Sequence, residues 1–368
     1  MKIILDNFGE TLGINKDSFT IRASKTIKQQ IPFWKTNEII ITSKNTISVD
    51  ALLWASLYNV DVVFCMHNGK PLAFLHPISD KANVKIRINQ LKAYESRKGL
   101  ILAKTFLCQK IENENRLLKL LRLEPYESNP KLPKTEQIQK INAEKLTQNL
   151  RLKIQTIEER FSRHFYTQVF PLFPKWLRIN KRIHRNATEP LNNLLNISFE
   201  VLEWKILKAV IKSKLEPYLG YCHSIQRGKP SLVLDLIEPF RAYIVYFLIN
   251  YSKTLKPKDF QRIYIKNQYP RYFLTHKATW QLIQNLNKKL FETYIPMQRN
   301  RKHGFRMQFE TYIDEYVSLT ANYINSASLN FPLASFPPFF LSCVQTEKLI
   351  LGVPNRKKPE KSQKRLNS

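Results

Sequence analysis

From Met1 to about Pro77 the apolar residues come in short runs, KIILD, SFTIRA, EIIITS, VDVVFCM and PLAFLH, separated by Gly, Asn, Asp or Ser. Runs rich in Ile, Val and Phe with turn residues between them predict strands. The alternation breaks once, at VDALLWASLYN, whose three- and four-residue apolar spacing predicts a short helix. The polar stretch SDKANV, residues 79–84, reads as a linker. After it the period becomes helical: VKIRINQLKAYESRKGLILAKTFLCQKIENENRLLKLLRL runs about 40 residues without proline, with Lys and Arg filling the face opposite the apolar positions. Three prolines in EPYESNPKLPK then exclude a helix and predict a surface loop. From about Thr135 to about Leu351 the pattern is helical again, punctuated at FPLFPKW, RNATEP, the 217–231 loop, KPKD and FPLASFPPF. The fold class expected is α+β, with a small N-terminal β domain over 1–78 and a larger all-α domain over 85–354.

Charge separates the two parts. The whole chain of 368 residues carries 59 Lys and Arg against 29 Asp and Glu, a net of +30, which makes a field that attracts polyanions. Met1 to Ile78 holds only 8 of these cations against 6 carboxylates, so about +28 falls on the remainder. Nucleic acid is therefore expected on the helical part, and the β domain is left for pairing with another copy or another protein. The last fourteen residues, NRKKPEKSQKRLNS, form a basic tail over 355–368 that cannot bury a core.

Cys65, Cys108, Cys222 and Cys343 stand far apart with no C-x-x-C pair, which argues against a zinc ribbon or a disulfide framework. The start, MKIILDNFGE, lacks the basic flank and long apolar stretch of a signal peptide. The longest apolar run, Ala242 to Tyr251, is about half of what spans a bilayer. A cytoplasmic protein without a membrane partner is expected.

Three segments offer chemistry. In QTIEERFSRHFYTQVF, helical spacing puts Ile154, Ile157, Phe161 and Phe165 on one arc, with Glu158 at its edge and Glu159 outside it. A carboxylate turned toward a core needs a cation, either one of the many arginines or a metal. In GYCHSIQRGKPS, Gly220 and Gly228 allow tight turns around His223, and Arg227 and Lys229 are expected to depress its pKa and keep the imidazole in the neutral, metal-ligating form. In LVLDLIEPFRAYIVYFLI, Pro239 is tolerable only in the first turn of a helix, so the helix is expected to begin near Asp235. Asp235 and Glu238 then form an i, i+3 pair that repels unless a metal or Arg241 stands between them.

These segments resemble, in order, the motifs of the CRISPR-associated integrase of the spacer-acquisition module. TIEERFSRHFY resembles the family's Glu-Gly-x-x-Ala-x-x-Tyr segment, EPLNNLLNISFEVLEWKIL its Asn-Ala-x-Leu-Asn helix, LEPYLGYCHS its Leu-Asp-Pro-x-x-Gly-x-x-His loop, and SLVLDLIEPFR its Ser-Leu-x-x-Asp-Leu-x-Glu-Pro-Phe-Arg motif. The KIENEN segment also reads like the family's first long helix. Glu159 stands where the family has Gly, Phe161 and Ser162 where small residues are common, and Asn193 where it has Ala.

The resemblance implies a metal-dependent DNA endonuclease and integrase. Glu158, His223 and Glu238 would hold Mg²⁺ or Mn²⁺, with Asp235 as a helper or additional ligand. It implies a homodimer through the β domain and a second, small Cas adaptation protein bridging two dimers. The substrates would be double-stranded DNA, both the captured fragment and the repeat. Expected phosphate contacts are Arg160, Arg163, Arg227, Lys229, Arg241, Arg299, Arg301, Lys302 and Arg306. A noncatalytic basic scaffold and a structure-selective repair nuclease are the competing expectations, and an array of direct repeats beside the gene would separate them from the integrase.

Overall fold

The computed structural model describes residues 1–5, 7–23, 26–42, 44–66, 71–75, 83–133, 135–184, 187–264, 270–300 and 303–332. The expected basic tail, Cys343, Arg301, Lys302 and most of the linker lie outside the described residues.

The N-terminal part contains strands β1 (Lys2–Leu5), β2 (Glu10–Asn15), β3 (Ser18–Ala23), β4 (Thr26–Pro32), β5 (Glu38–Ile41), β6 (Thr46–Ile47), β7 (Asp61–Cys65) and β8 (Pro71–Leu75), with helix α1 (Val49–Leu57) before β7. They form two four-stranded sheets, ordered β4-β3-β2-β6 and β1-β5-β7-β8. In the second, β1, β5 and β7 run parallel and β8 closes antiparallel on β7. The short apolar runs are β1, β3, β5, β7 and β8. The strands without such a signal are the polar ones: β4, TIKQQIP, is exposed over its first five residues. α1 starts where the Ser48 hydroxyl accepts from the Ala51 N–H at 3.2 Å. One core of Ile3, Leu5, Leu12, Phe19, Phe33, Ile39, Ala51 and Val62 fills this part, with Phe33 stacked on Trp54.

A second, separate core belongs to the helical part. Its elements are α2 (Asn83–Tyr94), α3 (Arg97–Leu120), α4 (Thr135–Gln139), α5 (Gln148–Val169), α6 (Pro190–Lys212), α7 (Ser231–Ile237), α8 (Arg241–Tyr251), β9 (Phe260–Ile263), β10 (Arg271–Leu274), α9 (His276–Glu292), β11 (Tyr294–Asn300), β12 (His303–Gln308) and α10 (Phe309–Asn325). The expected all-α part is thus mainly helical, with two antiparallel hairpins, β9–β10 and β11–β12, added.

The long helix expected after the linker is two helices. Ser96 ends the first by capping α3, its hydroxyl accepting from the Lys98 N–H at 3.2 Å. Gly99 lets the second turn back closely, because a Cβ there would stand 2.3 Å from the Ala93 carbonyl oxygen. The proline-rich EPYESNP loop includes a 3₁₀ turn, Tyr126–Ser128, whose tyrosine is buried against α5.

α3 lies at the centre and packs on α2, α5 and α8. Ion pairs join the two parts: Lys2 reaches Glu310 of α10 at 3.4 Å, and Lys208 of α6 reaches Glu38 of β5 at 3.1 Å. Lys205 also pairs with Glu310. Burial would push the Glu310 carboxyl up, but Lys205 and Lys208 hold it down at about 2. Among the described residues no helix is long and apolar enough to cross a membrane.

Candidate active site

α5 brings Glu158 to the edge of its buried face, as its spacing predicts: Ile154, Phe161 and Phe165 are buried and Glu159 is exposed. The Ser162 hydroxyl, one turn on, donates to Glu158 Oε1 at 2.6 Å. The same helix holds the histidine loop. Arg151 is almost fully buried on it and donates to the carbonyls of Tyr221 at 3.3 Å and Leu146 at 3.1 Å, and Gln155 donates to the Cys222 carbonyl at 2.8 Å.

The loop closes on α7. A Cβ at Gly220 would meet the Ser231 carbonyl carbon at 2.6 Å, so only glycine allows this approach. The helix begins at Ser231 rather than near Asp235, because Pro230 occupies its N-cap. Asp235 is consequently mid-helix and fully buried. Its carboxylate accepts from the backbone N–H groups of Tyr221, Cys222 (2.8 Å) and His223 (2.9 Å), and from His223 Nδ1 at 2.6 Å. This answers the charge problem without a metal: three loop amides and the imidazole satisfy the carboxylate. With Nδ1–H committed to Asp235, the basic nitrogen left to His223 is Nε2.

The expected depression of the His223 pKa is reversed. Burial would lower it, but the hydrogen bond and charge of Asp235 raise it, and Lys229 opposes this only in part. Arg227 is exposed on the loop.

Glu238 begins the 3₁₀ turn Glu238–Phe240 between α7 and α8. It is anchored by Arg241, whose Nε donates to Oε1 at 2.9 Å, and by Lys110 of α3, whose Nζ stands 2.7 Å from Oε2. Lys110 also pairs with Glu158 Oε1. One buried ammonium thus joins the two carboxylates that come from α5 and from the α7–α8 turn. Burial would raise the Glu238 carboxyl, yet Arg241, Lys110 and His223 hold it at about 2. Burial alone would lower Lys110, but Glu158, Glu238 and Glu114 raise it. Beside it Glu114 accepts from the Tyr126 hydroxyl at 2.6 Å, and burial pushes its carboxyl up to about 7. Asn113 fixes the turn by donating to the Pro239 carbonyl at 2.8 Å.

Glu158, His223, Glu238, Lys110 and Arg241 line one cavity of about 1070 Å³, together with Arg163, Lys229 and the 180–182 stretch. Arg160 and Arg227 are exposed outside this lining, Arg299 lies on β11, and Arg306 is exposed on β12. Arg241, expected at DNA phosphate, is instead mostly buried, paired with Glu238 and laid over the Phe199 ring at 4.7 Å. Among the described residues no three His, Cys, Asp or Glu side chains stand close enough together to hold a metal ion. The expected triad shares a cavity, but its carboxylates close on Lys110 and its imidazole on Asp235. In kind the donors suit a hard divalent cation: two carboxylates already converge on one positive charge, with an imidazole on the same cavity.

The family model of the CRISPR associated protein Cas1 matches residues 3–288. The chain belongs to the Cas1 family. As a member it is a CRISPR-associated protein of the spacer-acquisition module, as the motifs implied. A CRISPR-associated endonuclease Cas1 of Archaeoglobus fulgidus is 29% identical over 71% of this chain and 81% of its own length. One of Korarchaeum cryptofilum is 26% identical over 70% of this chain and 80% of its own. Among solved structures, a casposase bound to its integration product covers 92% of this chain and 94% of its own, with TM-score 0.63 and 20% identity. A Cas1 protein from Thermotoga maritima covers 88% and 97%, with TM-score 0.63 and 16% identity. These two show the fold: a β-rich part followed by a helical part.

Sequence reasoning missed Lys110, Glu114, Arg151 and the role of Ser162. A signal for the first two was present. Leu100, Ala103, Leu107, Lys110, Glu114 and Leu117 follow one another at three- and four-residue steps, so two charges stand in the buried stripe of α3.

Proposed function

We propose that this chain inserts short DNA fragments at the edge of a CRISPR repeat, and that with water as nucleophile the same site acts as a nuclease. The observation that carries this is the convergence of Glu158, His223 and Glu238, from three separate motifs, on one cavity bordered by Arg163 and Lys229. In the reaction the 3′-hydroxyl of the fragment attacks a repeat phosphodiester and the repeat strand's own 3′-oxygen leaves. One phosphoester bond forms as another breaks.

Glu158, His223 and Glu238 would hold Mg²⁺ or Mn²⁺, which supplies neutralisation of phosphate charge and acidification of the attacking hydroxyl. Lys110 and Arg241 keep Glu238 ionised, the form a cation requires. Asp235 orients the imidazole and the loop that carries it. The excess positive charge of the helical part suits DNA held along its backbone. Casposase was solved on an integration product, and another structural neighbour, at TM-score 0.63, is a Cas6-RT-Cas1–Cas2 complex. Both favour DNA and a Cas2-type bridging protein as the partners. For the homodimer, Val49, Leu53 and Leu57 form an exposed apolar stripe at four-residue steps on α1, which a second copy would cover.

The test is insertion of a short duplex into a repeat-bearing supercoiled plasmid, with and without the small partner. His223→Ala and Glu238→Ala should abolish insertion and keep most DNA binding. Full insertion by His223→Ala removes the site assignment, and insertion that survives excess EDTA removes the metal.

A further inference from the structure

The sheet β1-β5-β7-β8 is apolar on both faces. Ile3, Leu5, Ile39, Ile41 and Val62 belong to the core of the N-terminal part. Alternation turns Ile4, Ile40 and Val63 to the opposite face, and the register sets them side by side across three strands. An apolar row on a second face needs a second cover. α6 and α9 supply part of it: Trp204 and Trp280 line, together with this row and Cys65, a groove of about 560 Å³. The cover is incomplete. Val63 is buried yet belongs to neither core, while Ile4 is 50% exposed and Trp280 38%.

The groove does not suit an anion, because the lysines that line it are each held by a carboxylate. Lys205 pairs with Glu310, Lys208 with Glu38 at 3.1 Å and Lys288 with Glu292 at 3.8 Å. What is left to a ligand is apolar surface. Its volume falls within the range of about 300–1,000 Å³ typical of binding pockets, which gives room for a few large side chains.

One stretch of this chain has the matching chemistry. Residues 333–344, LASFPPFFLSCV, hold three phenylalanines, two leucines and a valine without a single charge, and they lie outside the described residues, just beyond Pro332. Exposed to water, such a run is an apolar patch that calls for a cover. Pro337 and Pro338 disfavour a helix there, and an extended chain is the shape a groove accepts. The stretch starts from the protein surface, since Phe331 meets the Tyr323 ring edge-on at 5.1 Å near the end of α10. The other end of α10 reaches the groove, where its Glu310 is the partner of Lys205. The 17 residues of α10 span about 25 Å, and the chain from Pro332 to Cys343 can span about 36–40 Å when extended. The groove is within its reach.

We propose that residues 333–344 dock in this groove of their own chain, with Phe339, Phe340 and Leu341 seated between the sheet face and the two tryptophans. The segment then forms an apolar strap across the junction of the two parts, adding to the ion pairs that join them. It also carries the basic 355–368 stretch to that side of the molecule. The docking is independent of the chemistry at the large cavity.

Cys343 lies in the segment and Cys65 on the groove wall, so a short bismaleimide added to the full chain tests the docking, with linked peptides read by mass spectrometry. Burial pushes the Cys65 thiol up to about 11, which slows its reaction. A protein carrying Cys65→Ser and Ile4→Cys therefore repeats the measurement from the half-exposed rim. Cys343 should link to position 65 or to position 4 within one chain. Phe339→Asp combined with Phe340→Asp should abolish the link, lower the melting temperature by about 2–4 °C and shift tryptophan emission to the red as Trp204 and Trp280 meet water. Circular dichroism confirms that the variants fold. Absence of both links, or links that join two chains only, overturns the proposal. A double variant that links, melts and emits like the original overturns it as well.

Discussion

Replacing Lys110 with methionine keeps most of the side chain's length and removes the ammonium that joins Glu158 to Glu238. Breaking a buried pair by deleting one partner costs about 3–5 kcal/mol. The site itself argues for the lower end. The fall of the Glu238 carboxyl from 4.5 to about 2 corresponds to about 3 kcal/mol, and Arg241, Lys110 and His223 share it. Glu158 has a side chain 30% exposed, so water offsets part of its loss. The expected destabilisation is about 2–3 kcal/mol at neutral pH, a fall in melting temperature of about 5–10 °C for a domain of this size.

The pH dependence has a definite sign. Glu238 has a depressed folded pKa, so its pairing stabilises the fold fully above 4.5 and is lost as pH falls toward 2. The gap between Lys110→Met and the original protein should therefore narrow on acidification through that window. Saturating Mn²⁺ should also narrow it, by supplying the missing positive charge to the carboxylates. Thermal melts in the metal-free state across this pH range, repeated with Mn²⁺, measure both. Equal melting temperatures at pH 7 would refute the role given to Lys110.

Asp235→Asn retains shape but withdraws a charged acceptor from three amides and the imidazole. It should cost about 1–3 kcal/mol, seen in urea melts, and abolish plasmid insertion even where the protein stays folded. Gly220→Ala forces a Cβ against Ser231, so insertion should fall sharply, and a normally active Gly220→Ala protein would contradict the close packing of the histidine loop on α7. Glu310→Gln removes the centre of the ion-pair cluster between the β domain and the helices. It should cost up to about 3 kcal/mol above pH 4.5 and much less near pH 2, read from melts across that range.

The elements legible in the sequence were those whose burial follows a simple period. The strands KIIL and EIII and the stripe of α5 are of this kind. β4 was illegible because its side chains are nearly all exposed, and β9 because FQRI is too short and too polar to carry an alternation. The site was legible in its acidic and imidazole members through motif likeness. The charge balance was not, because Lys110 lies 48 positions before Glu158 among many other cations. Asp235 was expected as a helper or additional ligand and stands beside the imidazole of His223, but its bonds to three loop amides were not legible, because backbone amides leave no mark in a sequence. Ser96 was a visible cap inside the long helical run, and it broke the helix that periodicity alone had drawn through it.

The seven residues of α7 have a consequence for how this site can vary. His223 hangs from Asp235 and Glu238 follows three positions later, so both are referenced to one short rigid rod. Glu158 is referenced to another, α5, which reaches the loop through Arg151 and Gln155. Alignment thus reduces to a single adjustable joint between two solid pieces. Substitutions that shift α5 as a body would detune the site smoothly, whereas those within α7 would misplace two donors at once.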